Sequence, residues 1–473
     1  MAEQILPGVQ IEVRAEALIV GGPISVGNIG IVGTAARGTR NKVEVIGSYG
    51  EAREIFGPYD AFDAPETTGA PLTLVRALEI AYNNGASTVF AVRVAGTAPA
   101  NAAPSTSDLA GNDPLINIHA KNSGSRGNDI RLTIAEKDAD PLTDDTIVTI
   151  TNGTVTETYT VKSNVELAAQ TAERSNLVTV TSKGASAKLV PITNVAFAGG
   201  QSGADATPSD YEDGLAELTN QNAHIIVAAG LSDDIIADEL MAHVNAASTD
   251  KVKRDRIAVV GSRAATAPPS AATFPAAART PAVSSDRVVY VAPGIKVNDS
   301  AAKKEVTLPG AYAAAAIAGM LSARSPHISL TNKAVAVGGL EAEFSAAQLE
   351  GLVQAGVLAI EKRRGIRVVK GITTDPGAFQ QITTRRIVDF AKFGVRAAAE
   401  PFIGLLNNDR VRQALKGSIN GFLADMVTDE MIISYELDVT ATRDDEIRGV
   451  ARVTMTVRPT FSIDFIKVVM FLG

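Results

Sequence analysis

The sequence predicts an α/β multidomain protein. It would have an α/β core, a β-rich insertion domain and an α+β C-terminal domain, with strand-like arms at both termini. Three observations carry this. Buried-strand and amphipathic-helix patterns alternate from about residue 24 to 96 and return after 205. A Thr-rich run of short alternating segments separates the two stretches. Both extremes of the chain, "GVQIEV" and "FSIDF", alternate apolar with polar residues, as half-buried strands do.

Residues 1–20 read as an N-terminal arm: Pro7-Gly8 makes a turn, and Val9, Ile11 and Val13 then share one face of a strand. Residues 21–97 form the first part of the core. "GNIGIVGTA" is a buried strand, "PLTLVRALEIAYNNGA" an amphipathic helix with Leu74, Leu78 and Tyr82 at four-residue steps, and "STVFAVRVAG" the next strand. A Pro/Ala/Ser stretch opens the insertion, residues 98–204. Its segments "INIHA", "IRLTIAEK" and "LVTVTS" are strands, and "TNGT" joins two alternating runs as a hairpin.

The core resumes over 205–335 with helix, strand, helix and strand, the rhythm of a parallel sheet. "RVVYVAPG" adds a strand and "AAAAIAGM" an apolar helix too short to span a bilayer. "SRAATAPPSAATFPAAARTPAVSS" reads as a surface loop or a broken Ala-rich helix.

The C-terminal domain is placed at 336–458. Ser345 and Gln348 form a capping box, and the helix they open is expected to run to Arg364, with Gly365 as its stop. "IRVVKGITT" is a strand, Thr383 or Thr384 opens a helix through Ala398, and Asn408 or Asp409 caps another. The apolar stripe of that last helix is Val411, Leu415, Ile419, Phe422 and Met426. Two strands follow, carrying Ile433, Tyr435, Leu437, Val439 and Val453, Met455, Val457. Residues 459–473 are a C-terminal strand with Phe461, Ile463 and Phe465 on one face. An exposed apolar edge invites pairing, so something must cover it, from this chain or from a neighbour.

Of the 473 residues, 45% are hydrophobic and 5% aromatic, with no tryptophan, so the core is aliphatic. A net charge of -8 argues against a general nucleic-acid or membrane-surface binder. The absence of cysteine removes disulfides and thiolate metal sites. "MAEQILPGVQIEV" lacks the pattern of a signal peptide, so a cytoplasmic product, or one released by lysis, is expected.

No catalytic, cofactor-binding or metal-binding residues are assigned. Gly27, Gly30 and Gly33 are not GxGxxG and read better as small residues in a packed strand. "AGGQSGADATPSD" lacks the lysine of a phosphate loop. His119, His224, His243 and His327 sit in separate segments without an HxxxH pair. "EKDADPLTDD" lacks the glycine and closing glutamate of a calcium loop.

Charge is uneven towards the end. Glu361 to Lys416 holds twelve basic and five acidic residues, whereas Asp425 to Arg448 holds eight acidic and two basic. Two solvated faces of one domain explain this, as does a surface that meets complementary copies or a ring-shaped partner.

The last third, through "VGGLEAEFSAAQLEGLVQAGVLAIEKRRGIRVVKGITT", "TTRRIVDFAKFGVRAAAEPFIGLLNNDRVRQALKGSINGFLADM" and "VRPTFSIDFIKVVMF", resembles the C-terminal domain of contractile phage tail sheath proteins. "LPGVQIEV" is similar to that family's Pro-Gly-Val arm, with Gln10 where a tyrosine is common. "AKNSGSRGNDIRLTI" resembles its small-residue motif, with Arg126 at an aromatic position.

The resemblance implies a structural, non-enzymatic subunit without cofactors. It would polymerise around an inner tail tube protein as stacked hexameric rings, between baseplate and tail terminator proteins. Its setting would be a virion tail assembled in the host cytoplasm, or a bacterial contractile injection system. Arms from neighbouring subunits would add strands to the end domain's sheet, making Val9, Ile11, Val13, Phe461, Ile463 and Phe465 the linking residues. Gripping and then releasing a tube suits exposed charge, which makes Lys362, Arg363, Arg364, Arg385, Arg386 and Lys416 the tube-facing candidates. A nucleotide-dependent α/β enzyme would need a phosphate loop, and a surface-layer or adhesin subunit a secretion signal.

Overall fold

A computed structural model describes residues 27–59, 72–96, 103–104, 115–137, 145–153, 155–200, 206–263, 280–300 and 302–471. The expected N-terminal arm and most of the Ala-rich stretch after Arg263 lie outside the described residues. The described residues divide into two compact units, one holding residues 27–389 with 459–471, the other holding residues 390–458.

In the larger unit, β1 (Ile29–Thr34), β2 (Val43–Ile46), α1 (Tyr49–Phe56), α2 (Leu74–Asn83) and β3 (Val89–Val94) come first. Ser48 starts α1 by accepting the Glu51 N–H. The insertion follows: β4 (Ala103–Pro104), β5 (Ile116–Ala120), β6 (Arg131–Glu136), β7 (Thr146–Asn152), β8 (Val155–Val161), α3 (Asn164–Arg174), β9 (Val178–Ser182) and β10 (Ile192–Ala198). The Asn-Gly turn joins β7 to β8 in an antiparallel ladder from Thr146↔Val161 to Asn152↔Val155. Strands β4, β10, β6, β7 and β8 form one sheet, and β5 with β9 a second. Ile118, Leu132, Ile150, Leu167 and Phe197 belong to a core that these elements keep to themselves.

The chain then returns through α4 (Pro208–Leu218), β11 (Ile225–Ala228), α5 (Asp233–Ala247), β12 (Ile257–Gly261) and β13 (Val288–Ala292). Next come β14 (Ile295–Asp299), β15 (Lys304–Leu308), α6 (Gly310–Ser322), β16 (Gly339–Leu340), α7 (Ala346–Gln354), β17 (Val357–Lys362) and β18 (Ile366–Val368). The central sheet has the order β18-β17-β13-β12-β11-β1-β3-β2. Its six inner strands are parallel, and the two edges, β2 and β18, are antiparallel. Alternate residues feed opposite faces, the period-two rule for a sheet buried on both sides. Ile31, Val227, Val259 and Val291 pack with α2 and α6, whereas Val32, Ile226, Val260 and Tyr290 pack with α4, α5 and α7. Between α2 and β14, Arg76 and Asp299 form a buried ion pair at 2.9 Å.

One expected element is corrected. The capping box of Ser345 and Gln348 is present, but α7 ends at Gln354, not Arg364. Gly356, at φ +83°, turns the chain there, as only glycine does readily. "VLAI" then pairs with β13 as a fully buried strand. Gly365 serves the turn from β17 to β18 instead of stopping a helix.

In the smaller unit, α8 (Ile382–Ala399), which crosses the division at Phe390, is followed by α9 (Asp409–Thr428), β19 (Ile432–Thr440), α10 (Arg443–Ile447) and β20 (Arg452–Pro459). Asn408 is the cap of α9, its side chain accepting from Val411 N at 3.0 Å. The buried stripe of α9 is Leu415, Ile419, Leu423 and Met426. Phe422, expected in that stripe, lies against Phe390, ring centroids 5.7 Å apart. The sequence reading did not anticipate α10. Thr442 and Asp445 form its capping box, and Arg452 clamps the Asp445 carboxylate with bonds of 2.8 and 2.7 Å.

Candidate assembly surfaces

The crevice where open α/β sheets bind nucleotides lies outside the carboxyl ends of the strands, where the strand order reverses. Here that place is between β1 and β11, and it is filled. Tyr211 reaches the Ala229 carbonyl at 3.0 Å and the Thr73 hydroxyl at 3.2 Å, and Thr73 binds Thr34. A Cβ on Gly33 would stand 2.9 Å from both Ala229 Cβ and Thr73 Oγ1. Among the described residues, no group of His, Asp and Glu is placed to hold a metal ion. No described helix is long and apolar enough to cross a membrane.

His224 and His243 are half-buried. Arg256 sits 3.0 Å from His243 Nε2. Since a guanidinium only donates, that nitrogen is the acceptor and the ring is neutral. Burial, reinforced by the charge of Arg256, pulls each histidine down to about 4.

The tail is the feature that stands out. Residues 460–471 form no ladder with any of the described residues. Their alternation is turned opposite to that of an ordinary half-buried strand. Phe461, Ile463 and Phe465 are 59%, 80% and 79% exposed, while the Asp464 side chain between them is only 9% exposed. From Ile466 to Phe471 every apolar side chain is exposed. Asp464, which the sequence reading did not single out, carries the tail's hydrogen bonds to the rest of the described chain. Its carboxylate accepts from Thr331 and Gln381, both at 3.2 Å, and lies 3.8 Å from Lys370. Val9, Ile11 and Val13, the matching candidates at the other arm, lie outside the described residues.

The six basic candidates separate into three groups. Lys362, Arg363 and Arg364 share the exposed turn between β17 and β18, where Lys362 pairs with Glu343 at 3.1 Å and Arg363 with Glu361 at 3.2 Å. Lys416 is half-buried on α9 and pairs with Asp438 at 3.3 Å. Arg385 and Arg386 are buried in their own subunit, which corrects their reading as surface charges. Arg385 bridges Asp286 at 2.8 Å and Asp389 at 2.7 Å beneath the Phe379 ring. Arg386 donates to the Arg324 carbonyl at 3.0 Å, and burial lowers its pKa to about 10. A Thr-Thr-Arg-Arg opening of a helix does not reveal this, because Asp286 and the Arg324 carbonyl come from 99 and 62 positions away.

The chain resembles known proteins in structure and in sequence. The chain is similar in structure to a sheath tail protein from Desulfitobacterium hafniense, at 19% identity and a TM-score of 0.66, covering 96% of this chain and 100% of that one. A sheath tail protein from Listeria innocua matches at 16% identity and a TM-score of 0.69, covering 93% of each chain. The contracted helical sheath of the anti-feeding prophage matches at 15% identity and a TM-score of 0.54, covering 99% of each. At such identities these likenesses establish the fold. No curated protein sequence matches this chain. The family model of the phage tail sheath protein central domain matches residues 204–374, and that of the phage tail sheath C-terminal domain matches residues 374–472. Together the two models span more than half of the sequence, and the chain belongs to the phage tail sheath family.

Proposed function

We propose that this contractile sheath subunit polymerises around an inner tube as stacked hexameric rings, and that the polymer shortens to drive the tube through a target envelope. Work would come from an extended array relaxing to a contracted one, a rigid-body change between two packings of the same subunit. The chain itself then needs no chemistry, and its partners are copies of itself, the tube protein, and baseplate and terminator proteins. Two settings share this mechanism. A virion tail assembled in the host cytoplasm fits the family. A contractile injection system is favoured by the end-to-end likeness to the anti-feeding prophage sheath.

The observation that carries the reading is the outward apolar face of Phe461, Ile463 and Phe465. A strand of a second copy would cover it by β-augmentation, in which main-chain hydrogen bonds give strength and alternate side chains give register. Fully burying each such side chain stabilises by roughly 1.5–3 kcal/mol, enough over three per link to favour the array. Deleting residues 461–472 should therefore leave a folded subunit with a cooperative melt but no rings or tubes in negative-stain micrographs. Deleting the N-terminal arm with Val9, Ile11 and Val13 should do the same. A truncated chain that still polymerises, or one that no longer folds, counts against the reading.

The exposed turn with Lys362, Arg363 and Arg364 remains the better tube-facing candidate, with Lys416 as an independent one. Reversing the three turn residues to Glu should weaken co-sedimentation with tube protein, most at low salt where screening is least. Unchanged co-sedimentation at every salt concentration removes the turn from the contact.

A further inference from the structure

We infer that Asp464 is a positioning residue, the anchor that fixes the root of the C-terminal arm to its own subunit and sets which face the arm offers to a neighbour. The inference rests on the reading that the arm links copies, and adds how one subunit holds the arm that it lends.

The seat of Asp464 is drawn from three separate segments: Thr331 in a turn, Lys370 just after β18, and Gln381 just before α8. Its donors are set in advance. Thr331 Oγ1 already receives the Gly371 N–H at 3.2 Å and the Ser329 hydroxyl at 3.0 Å. With its lone pairs used, its one proton is left for Asp464 Oδ1. Gln381 directs its amide NH₂ to Oδ2, while its carbonyl oxygen receives the Thr383 hydroxyl at 3.5 Å. Ser462 donates to Oδ1 at 3.0 Å, and Lys370 adds its charge on the side of Oδ2. Three donors and one nearby cation converging on one carboxylate suit an acceptor that has no proton of its own. An asparagine there would turn an NH₂ group towards donors.

The consequence is geometric. Successive side chains of an extended segment point to opposite sides. Holding Asp464 inward therefore turns Ile463 and Phe465 outward, and Lys370 lies 5.7 Å from the Phe465 ring centre, steadying that residue at the edge of the seat. A neighbour would meet an arm whose starting point and face are already fixed, so less ordering entropy is lost on pairing.

The experiment uses the full chain, which has no cysteine of its own. A nitroxide on Ile466→Cys reports arm motion below the polymerisation concentration, and pelleting reports the critical concentration. Asp464→Asn and Thr331→Val should each sharpen the spectrum to that of a free tail and raise the critical concentration about tenfold, the scale of a lost charged hydrogen bond. Tm should move by no more than about 2 °C. Asp464→Glu, which keeps the carboxylate, should recover part of the loss. If both variants polymerise like the parent while deletion of 461–472 abolishes polymers, the anchor is refuted and the linking arm stands. If the deletion itself polymerises, the linking arm falls and the anchor with it. Variants that lose Tm in proportion to assembly make Asp464 an ordinary structural residue and overturn the proposal.

Discussion

The larger and smaller units bury their strands to different extents. In β12 and β13 every residue is buried, and in β1 all but Thr34. In β19 only Ile432 and Val439 are buried, Ile433 is 63% exposed, and no residue of β20 is buried. A two-stranded sheet has two open edges and is marginal alone. Helices cover both faces of the parallel sheet, whereas among the described residues the β19-β20 pair leaves ladder groups and apolar side chains open. The tail shows the same incompleteness in the larger unit. A sheath subunit must be stable before assembly and adhesive during it, and the proposed function would place the two demands in different regions of this molecule.

The sharpest way to break the comparison is a methyl group. A Cβ on Gly261 at the end of β12 would fall 1.8 Å from the Gly310 carbonyl oxygen, backbone against backbone. Gly261→Ala should cost more than about 3 kcal/mol, the upper end for overpacking, and leave no cooperative melt of the larger unit. A Cβ on Gly394 in α8 would fall 1.9 Å from the Phe422 ring, which can swing away. Gly394→Ala should cost about 1–2 kcal/mol in a denaturant titration, with the fold retained.

Mild acid should separate the units next. All four histidines lie outside residues 390–458. His224 and His243 stay neutral in the fold down to about 4, whereas the unfolded chain takes up protons near 6.5. The unfolded state therefore binds more protons as pH falls from 6.5 to 4, and stability present above that window is lost through it, by at most about 3 kcal/mol per histidine. In the smaller unit Arg452 holds the Asp445 carboxyl well below the usual carboxylate range, so its stabilisation is full above that range and is lost only as pH falls from it towards the lower folded value. Hydrogen exchange at pH 4.5 should rise in peptides around His224 and His243 before it rises around α9 and α10. The reverse order would refute this assignment.

The smallest expected effect is at the open sheet. Ile433→Thr should change the stability of the isolated subunit by no more than about 0.5 kcal/mol, as exposed substitutions do. Its critical concentration for polymerisation should nevertheless rise. A large loss of Tm would show that β19 closes a core of its own.

Much of this was legible in the residues. Alternation from Phe461 to Phe465 marked the tail, the Asn-Gly turn marked the β7–β8 hairpin, and helix-strand rhythm marked the parallel sheet, because each rests on neighbours within a few residues. Reading failed where a distant partner decided. "EKRRG" resembles the basic end and glycine stop of a helix, yet β13 captures "VLAI" as a strand and Gly356 has already ended the helix. Arg385 and Arg386 read as surface charges because nothing nearby in sequence announces Asp286, or the Arg324 carbonyl.

Local covalent preferences and periodicity, which are properties of short segments, let the sequence by itself determine most element types, the aliphatic core and the presence of an apolar, alternating tail. Tertiary structure alone decided which side of that tail turns outward. The choice depends on Thr331, Lys370 and Gln381 converging from three segments onto Asp464. A period of two states that there are two faces, and only a partner in space selects between them.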